Sequence, residues 1–266
     1  MLINYSCTNY KSYRYKNGFS LSASKIKQYD EDNISVIDSS LISKNRILNS
    51  LVLVGANASG KTNMLKSISY ARYFILNSAN AMQDKENVFE DPDIFMFDEA
   101  AESEPTTFDF EFSTDNNPST LYYYSFSFCQ KEILFENFSK RETNDKGRLS
   151  TKKVLFERQG TMLVKASEQF TKLNQVFELH PSVLFLSNCV GNLKDDLCPD
   201  GKIAIDWFRN IKFANKNNNS LDIYDDSPEY LDIARKIIAS ADSCVKGLRF
   251  EKRKLDLGVL DYKNPD

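Results

Sequence analysis

An α/β fold of the phosphate-loop type follows from three features of the chain. Gly55-Ala56-Asn57-Ala58-Ser59-Gly60-Lys61-Thr62 fits the pattern G-x-x-x-x-G-K-[ST]. Ahead of it, Ser50-Leu51-Val52-Leu53-Val54 is a short apolar, β-branched run of the kind that forms a strand buried on both faces of a parallel sheet. Behind it, Met64, Leu65, Ile68, Ala71 and Ile75 recur at helical spacing. Strand, glycine loop and helix therefore follow one another without a gap. An antiparallel β insert and a helical C-terminal segment complete the expected fold.

Each loop position has a physical job. Gly55 and Gly60 free the backbone for conformations that a side chain would block, so that successive N–H groups converge on an anion. The helix that begins near Lys61 adds its N-terminal dipole at the same point. Lys61 is placed to reach β- and γ-phosphates, and the Thr62 hydroxyl to ligate Mg²⁺. The expected nucleotide-binding residues are Gly55, Ala56, Asn57, Ala58, Ser59, Gly60, Lys61, Thr62 and Asn63, with ATP and Mg²⁺ as ligands.

Composition sets the bounds. Hydrophobic content of 41% and charged content of 27% fit a soluble globular chain. A net charge of −3 gives no basic footprint, so nucleic-acid binding is not indicated. The five cysteines (Cys7, Cys129, Cys189, Cys198, Cys244) form no C-x-x-C pair, and His180 is the only histidine. That pattern argues against zinc and for reduced thiols. The first residues lack a basic, then apolar, leader, and no apolar run is long enough to span a bilayer; the expectation is a cytoplasmic protein without membrane contact.

Along the chain, residues 1–82 read as N-terminal strands, the loop strand and its helix. Leu2–Cys7 and Phe19–Ala23 are strand candidates. Asn9–Tyr15 alternates aromatic with basic or polar residues. It reads as an ordinary amphipathic strand or, through Arg14 or a tyrosine, as a stacking platform for a base, with the strand favoured.

Residues 83–165 form an acidic connection and a β insert. Ile94-Phe95-Met96-Phe97-Asp98-Glu99 has the form of a strand ending in a catalytic Asp-Glu pair. Pro92 before it and the acidic Ala100–Pro105 after it favour a solvated loop instead. Thr107–Phe112, Leu121–Phe128, Glu132–Phe138 and Val154–Arg158 then supply strands, with turns at Asp115–Pro118 and Thr143–Gly147. Their alternation with acidic residues favours a half-buried sheet over an RNA-stacking surface.

Residues 166–266 read as mixed and mainly helical. Ser182–Ser187 is a possible second core strand, and Ile203–Phe208 a helix burying Trp207. Lys216–Ser220 is a loop, Pro228 opens a helix to about Val245, and Glu251–Lys254 is a solvated face. His180 reads as structural.

Asn9-Tyr10-Lys11-Ser12 followed by Gly55–Leu65 resembles bacterial ATP-binding proteins of the abortive-infection type. These are AAA-annotated ATPases with an ABC-like head, related to RecF and SMC heads. Phe97-Asp98-Glu99, Thr106–Phe112, Lys153–Arg158 and Ala241–Ser243 extend the similarity. In that comparison Asp98-Glu99 falls in the connection before the β insert, away from the Walker B position. The resemblance implies a signature loop, a true Walker B acid and a switch histidine further on. None is found before Asp266, so the chain resembles the N-terminal half to two-thirds of a family member. No catalytic residue is assigned, and the Q-loop position stays open between Gln83 and Gln130.

The implied function is ATP binding in a phage-defence ATPase. Hydrolysis would be completed by a partner or by a further C-terminal segment. The alternatives are a non-hydrolysing subunit that uses ATP for dimerisation or regulation, and a truncated product without independent activity. A homodimer or hetero-oligomer joined at the nucleotide site, with an effector or toxin partner, is the implied assembly.

Overall fold

The computed structural model describes residues 1–24, 34–35, 46–84, 94–115, 117–143, 149–190, 197–213, 232 and 236. Two compact units divide the chain, Met1–Ile211 and Lys212–Asp266. The first unit carries nearly all the described elements.

Its centre is a seven-stranded sheet with every neighbouring pair antiparallel: β1 (Leu2–Thr8), β2 (Asn17–Ser20), β5 (Thr106–Thr114), β6 (Asn117–Cys129), β7 (Glu132–Glu142), β8 (Lys153–Gln159) and β9 (Met162–Ala166), ordered β2-β1-β5-β6-β7-β8-β9. Two short strands, β3 (Ile34–Ser35) and β4 (Ile47–Leu48), pair separately. The period-two pattern of the sequence sorts the sheet into two faces.

On the inner face the register lines up Tyr5, Phe110, Tyr124, Phe138 and Phe156 as one aromatic row across five strands. All five are buried. The outer face carries Ser6, Asp109, Ser125, Asn137 and Glu157 in the neighbouring register row. Ser6 and Ser125 donate to Asp109 at 2.9 and 2.6 Å, and Asn137 donates to Glu157 at 3.0 Å. Directly opposed aromatic pairs add about 0.5–1.5 kcal/mol each beyond the area they bury, so the row fixes the register.

Three helices cover the inner face. Helix α1 (Lys61–Asp84) buries Met64, Ile68, Ala71, Phe74 and Ile75 along one stripe. Its Phe74 ring lies 5.9 and 5.5 Å from Phe126 and Phe128. Helix α2 (Glu168–Val176) sets Phe170 4.7 Å from Phe156. Helix α3 (Pro199–Asn210) stacks Trp207 on Phe112 at 4.1 Å and sets Phe208 edge-on to Phe110. Pro199 suits the first turn, where an N–H would have no intrahelical partner, and Asp200 and Arg209 suit the two ends of the helix dipole.

The mixed α/β class is observed, and four local expectations are corrected. Ser50–Val54 forms no strand: Leu51, Val52, Leu53 and Val54 are 41%, 78%, 36% and 85% exposed. The described strands are all antiparallel and pair elsewhere, so no parallel neighbour lies beside this run. Asn9–Tyr15 is a tight turn, because Asn9 and Lys11 take positive φ (52° and 48°) and Tyr10 pairs with Tyr13. Ser182–Ser187 is no strand either; Phe185–Cys189 forms a 3-10 turn tucked over the aromatic row, with Phe185 5.2 Å from Phe156. Leu65, placed with the core stripe by spacing, is 53% exposed. Of the expected helix from Pro228 only Asp232 and Lys236 are described, both helical and paired at 2.8 Å, while the Lys216–Ser220 loop and the Glu251–Lys254 face lie outside the described residues.

Candidate functional site

The G-x-x-x-x-G-K-T segment leads straight into α1, whose first bond runs from Met64 N–H to Gly60 C=O at 3.1 Å. Two residues of the loop take the left-handed conformation, Ala58 (φ 62°) and Gly60 (φ 93°). The Ser59 N–H closes the loop on itself by donating to Ala56 O at 3.2 Å. Gly60 is required on a second count. A Cβ there would lie 2.9 Å from Ser12 Oγ and 3.1 Å from Tyr13 Oη. At Gly55 a Cβ would come within 2.7 Å of Ser59 Oγ.

Lys61 folds back over this loop. Its Nζ donates to Gly55 O and Ala56 O, both at 2.7 Å, and lies 3.5 Å from Ser59 Oγ. The ammonium is therefore held by neutral carbonyls. A flexible four-carbon stem with three donors can trade those carbonyls for phosphate oxygens without moving the backbone. Thr62 is exposed in the first helical turn. The loop from Gly55 to Ser59 is solvent-exposed, and Gly60 alone is buried in it.

What buries Gly60 is the Asn9–Arg14 turn. Tyr13 Oη donates to Gly60 O at 2.9 Å, and Asn63 Nδ2 donates to Ser12 Oγ. On its other side the same turn grips the acidic connection. Arg14 forms a two-pronged pair with Glu104 and donates through Nε to Asp98 at 2.8 Å. Hydrogen bonds from Arg14 hold both carboxyls below their ordinary values, with help at Asp98 from the Ala100 N–H. Fully buried Asn9 donates to Ala101 O (2.8 Å) and Glu104 O (2.9 Å), and its own carbonyl accepts from Thr106.

These contacts settle several sequence expectations in geometric terms. Arg14 is engaged with two carboxylates and is not presented as a stacking platform, while Tyr15 is 78% exposed. Ile94–Phe97 makes a turn, and Asp98 caps the 3-10 turn Glu99–Ser103 by accepting from Ala100 N–H. Glu99 is exposed beside it. His180 accepts from Ser182 N–H and, through its carbonyl, from Arg158, which is a structural role. Gln130 sits in the β6–β7 turn at φ 48°. Sequence reading gave no role to Asn9. The available signal was an asparagine, the residue type that tolerates positive φ, directly after a strand.

A mixed α/β fold with this loop opening its longest described helix is consistent with the AAA/ABC-like ATPase class that the family comparison supports. The model of the family described as "AAA domain, putative AbiEii toxin, Type IV TA system" matches residues 50–235, and the chain belongs to that family. The matched span starts at the exposed apolar run and takes in the loop, α1 and the strands β5–β9. No curated protein matches the chain. No helix among the described residues is long and apolar enough to cross a membrane.

Proposed function

We propose that the chain binds ATP through Gly55–Asn63 and is the nucleotide-binding part of a cytoplasmic, bacterial abortive-infection ATPase. The observation that carries this reading is the Lys61 ammonium held by loop carbonyls at the head of α1, in a loop with left-handed Ala58 and Gly60. In the ATP complex Lys61 would leave Gly55 O and Ala56 O for the phosphates, and the helix N-terminus would face the same charge. Thr62 would hold Mg²⁺, which when bound neutralises charge on the phosphate oxygens. Tyr13 and Asn63 brace the loop from behind by fixing Gly60 against the Asn9–Arg14 turn.

Turnover needs more than a phosphate cradle: a positioned water and groups that stabilise the transition-state charge. Asp98 is occupied by Arg14 and Ala100, and Glu99 lies on an exposed 3-10 turn. The reading is therefore that a further segment or a partner completes the catalytic site. The exposed Leu51–Val54 run, which pairs with no strand among the described residues, supports it, because a sequence apolar on both faces is suited to a strand lying between neighbours. Given the family's toxin–antitoxin description, an antitoxin or toxin protein is the expected partner.

The test is an ATP titration with Mg²⁺ on the purified chain and on Lys61→Ala, with single-turnover hydrolysis in parallel. Binding lost in the variant supports the site; unchanged affinity refutes it. Binding without turnover in the wild type is the outcome expected of a site awaiting completion. A second reading, ATP as a dimerisation ligand for a regulatory subunit, draws on the same exposed run. It is supported if ATP raises the mass in solution and refuted if the mass is the same with and without ATP.

A further inference from the structure

Four of the five cysteines lie among the described residues as free thiols, and two of them meet. Cys189 ends the 3-10 turn Phe185–Cys189, and Cys198 caps the start of α3. Both are buried. Their sulfurs converge over Gly201: a Cβ on that residue would stand 2.5 Å from Cys189 Sγ and 2.8 Å from Cys198 Sγ. Cys198 is the side chain that acts most strongly on the Cys189 thiol. Glycine at position 201 is what leaves room for both sulfurs on one spot.

The two elements that meet here are also the two that hold the P-loop helix. From the 3-10 side, Leu184 N–H donates to Ser78 Oγ at 3.2 Å, and Ser187 Oγ accepts from Ala79 N–H at 3.0 Å. From α3, the carbonyls of Phe208 and Arg209 accept from Arg72 at 2.7 and 3.1 Å. A covalent link between the elements would tie both supports of α1 together.

We propose that Cys189 and Cys198 are a dithiol that closes to an intramolecular disulfide on exposure to a peroxide. In the first step one thiolate attacks the peroxide O–O bond, giving a sulfenic acid and releasing water from hydrogen peroxide. In the second the other sulfur displaces the sulfenic oxygen as water, and the S–S bond forms. Two thiols lose two electrons and two protons, and one hydrogen peroxide becomes two waters. The neighbouring Cys198 thiol and burial push the Cys189 thiol well above its ordinary value. A protonated thiol is a poor nucleophile, so one of the two sulfurs must lose its proton before it attacks the peroxide. Thiol–disulfide reductants return the pair to the dithiol.

The test is oxidation of the folded full chain with hydrogen peroxide, then alkylation and unreduced peptide mapping. The expected result is a Cys189–Cys198 linked peptide lighter by two hydrogens, and a melting temperature raised by roughly 3–8 °C that dithiothreitol reverses. Gly201→Ala, which keeps both cysteines but crowds the sulfurs, should slow closure at least several-fold. Independent over-oxidation of the two sulfurs, their full alkylation after peroxide treatment, or a link from either to Cys244 would overturn the proposal. The wild-type mapping decides this even if a variant fails to fold.

Discussion

Glu136 and Arg158 face each other across β7 and β8 with no exposed side-chain surface, the carboxylate 3.7 Å from the guanidinium. Neither depends on the other alone. Glu136 also accepts from Tyr124 Oη (2.8 Å) and from the N–H groups of Phe185 (2.7 Å) and Leu186 (2.9 Å). Arg158 donates to the carbonyls of Gly160, Val183 and His180. Burial pushes the Glu136 carboxyl up, while Arg158 and these donors pull against it. The pair is the polar anchor that seats residues 180–189 on an otherwise aromatic face.

Glu136→Ala should destabilise the chain by about 3–5 kcal/mol, because it strands a buried guanidinium and two backbone N–H groups. Adding Arg158→Met should restore part of that loss and not all of it, since Phe185 and Leu186 still lack an acceptor. Urea denaturation of the three proteins measures both effects.

Gly60→Ala should abolish ATP binding while lowering stability by about 1–3 kcal/mol, through positive φ and collision with Ser12 and Tyr13. Tyr13→Phe keeps the ring and removes only the bond to Gly60 O, so a cost of about 1 kcal/mol is expected. Calorimetric titration with ATP·Mg²⁺ separates the two. Equal affinities for Gly60→Ala and wild type would refute the assignment of the loop.

The Arg14 clamp should be acid-labile. The folded-state values of Asp98 and Glu104 lie below their ordinary 3.8 and 4.5, so their contribution is present above that range. It disappears as pH falls through the lower folded values. Melting temperatures of wild type and Asp98→Asn/Glu104→Gln should differ at pH 7 and converge as pH falls below the lowered folded-state values of the two carboxyls. A gap that persists at low pH would mean that the variants disturb something other than the ion pairs.

Val52→Lys/Val54→Lys should leave the isolated chain within about 0.5 kcal/mol of wild type, as expected for exposed positions. If a completing segment or partner pairs with this run, the same variant should lose the turnover that the completed assembly gains. Unfolding of the isolated double variant would show that the run is buried in solution.

What the sequence determined by itself is local. The G-x-x-x-x-G-K-T pattern located the loop, because glycine, lysine and threonine at that spacing are read from backbone chemistry alone. Strict alternation in Thr107–Phe112 and Leu121–Phe128 located β strands, since period two is a property of each strand. The Pro92 and acidic context of Asp98 argued against a strand there, and the chain turns at that point.

Tertiary structure decided everything that depends on a neighbour. Leu51–Val54 has the composition of a buried strand, yet pairing and burial come from adjacent strands, and none stands beside it among the described residues. Arg14 looked available for stacking until Asp98 and Glu104, far along the chain, took its donors. Ser182–Ser187 had strand-like residues, but Glu136 offered its carboxylate to the backbone N–H groups of Phe185 and Leu186, and the chain turned there instead. Cys189 and Cys198 carried no recognised spacing; only the fold, with Gly201 beneath them, brought the sulfurs together. Periodicity reports what a segment can bury, and long-range packing determines what it meets.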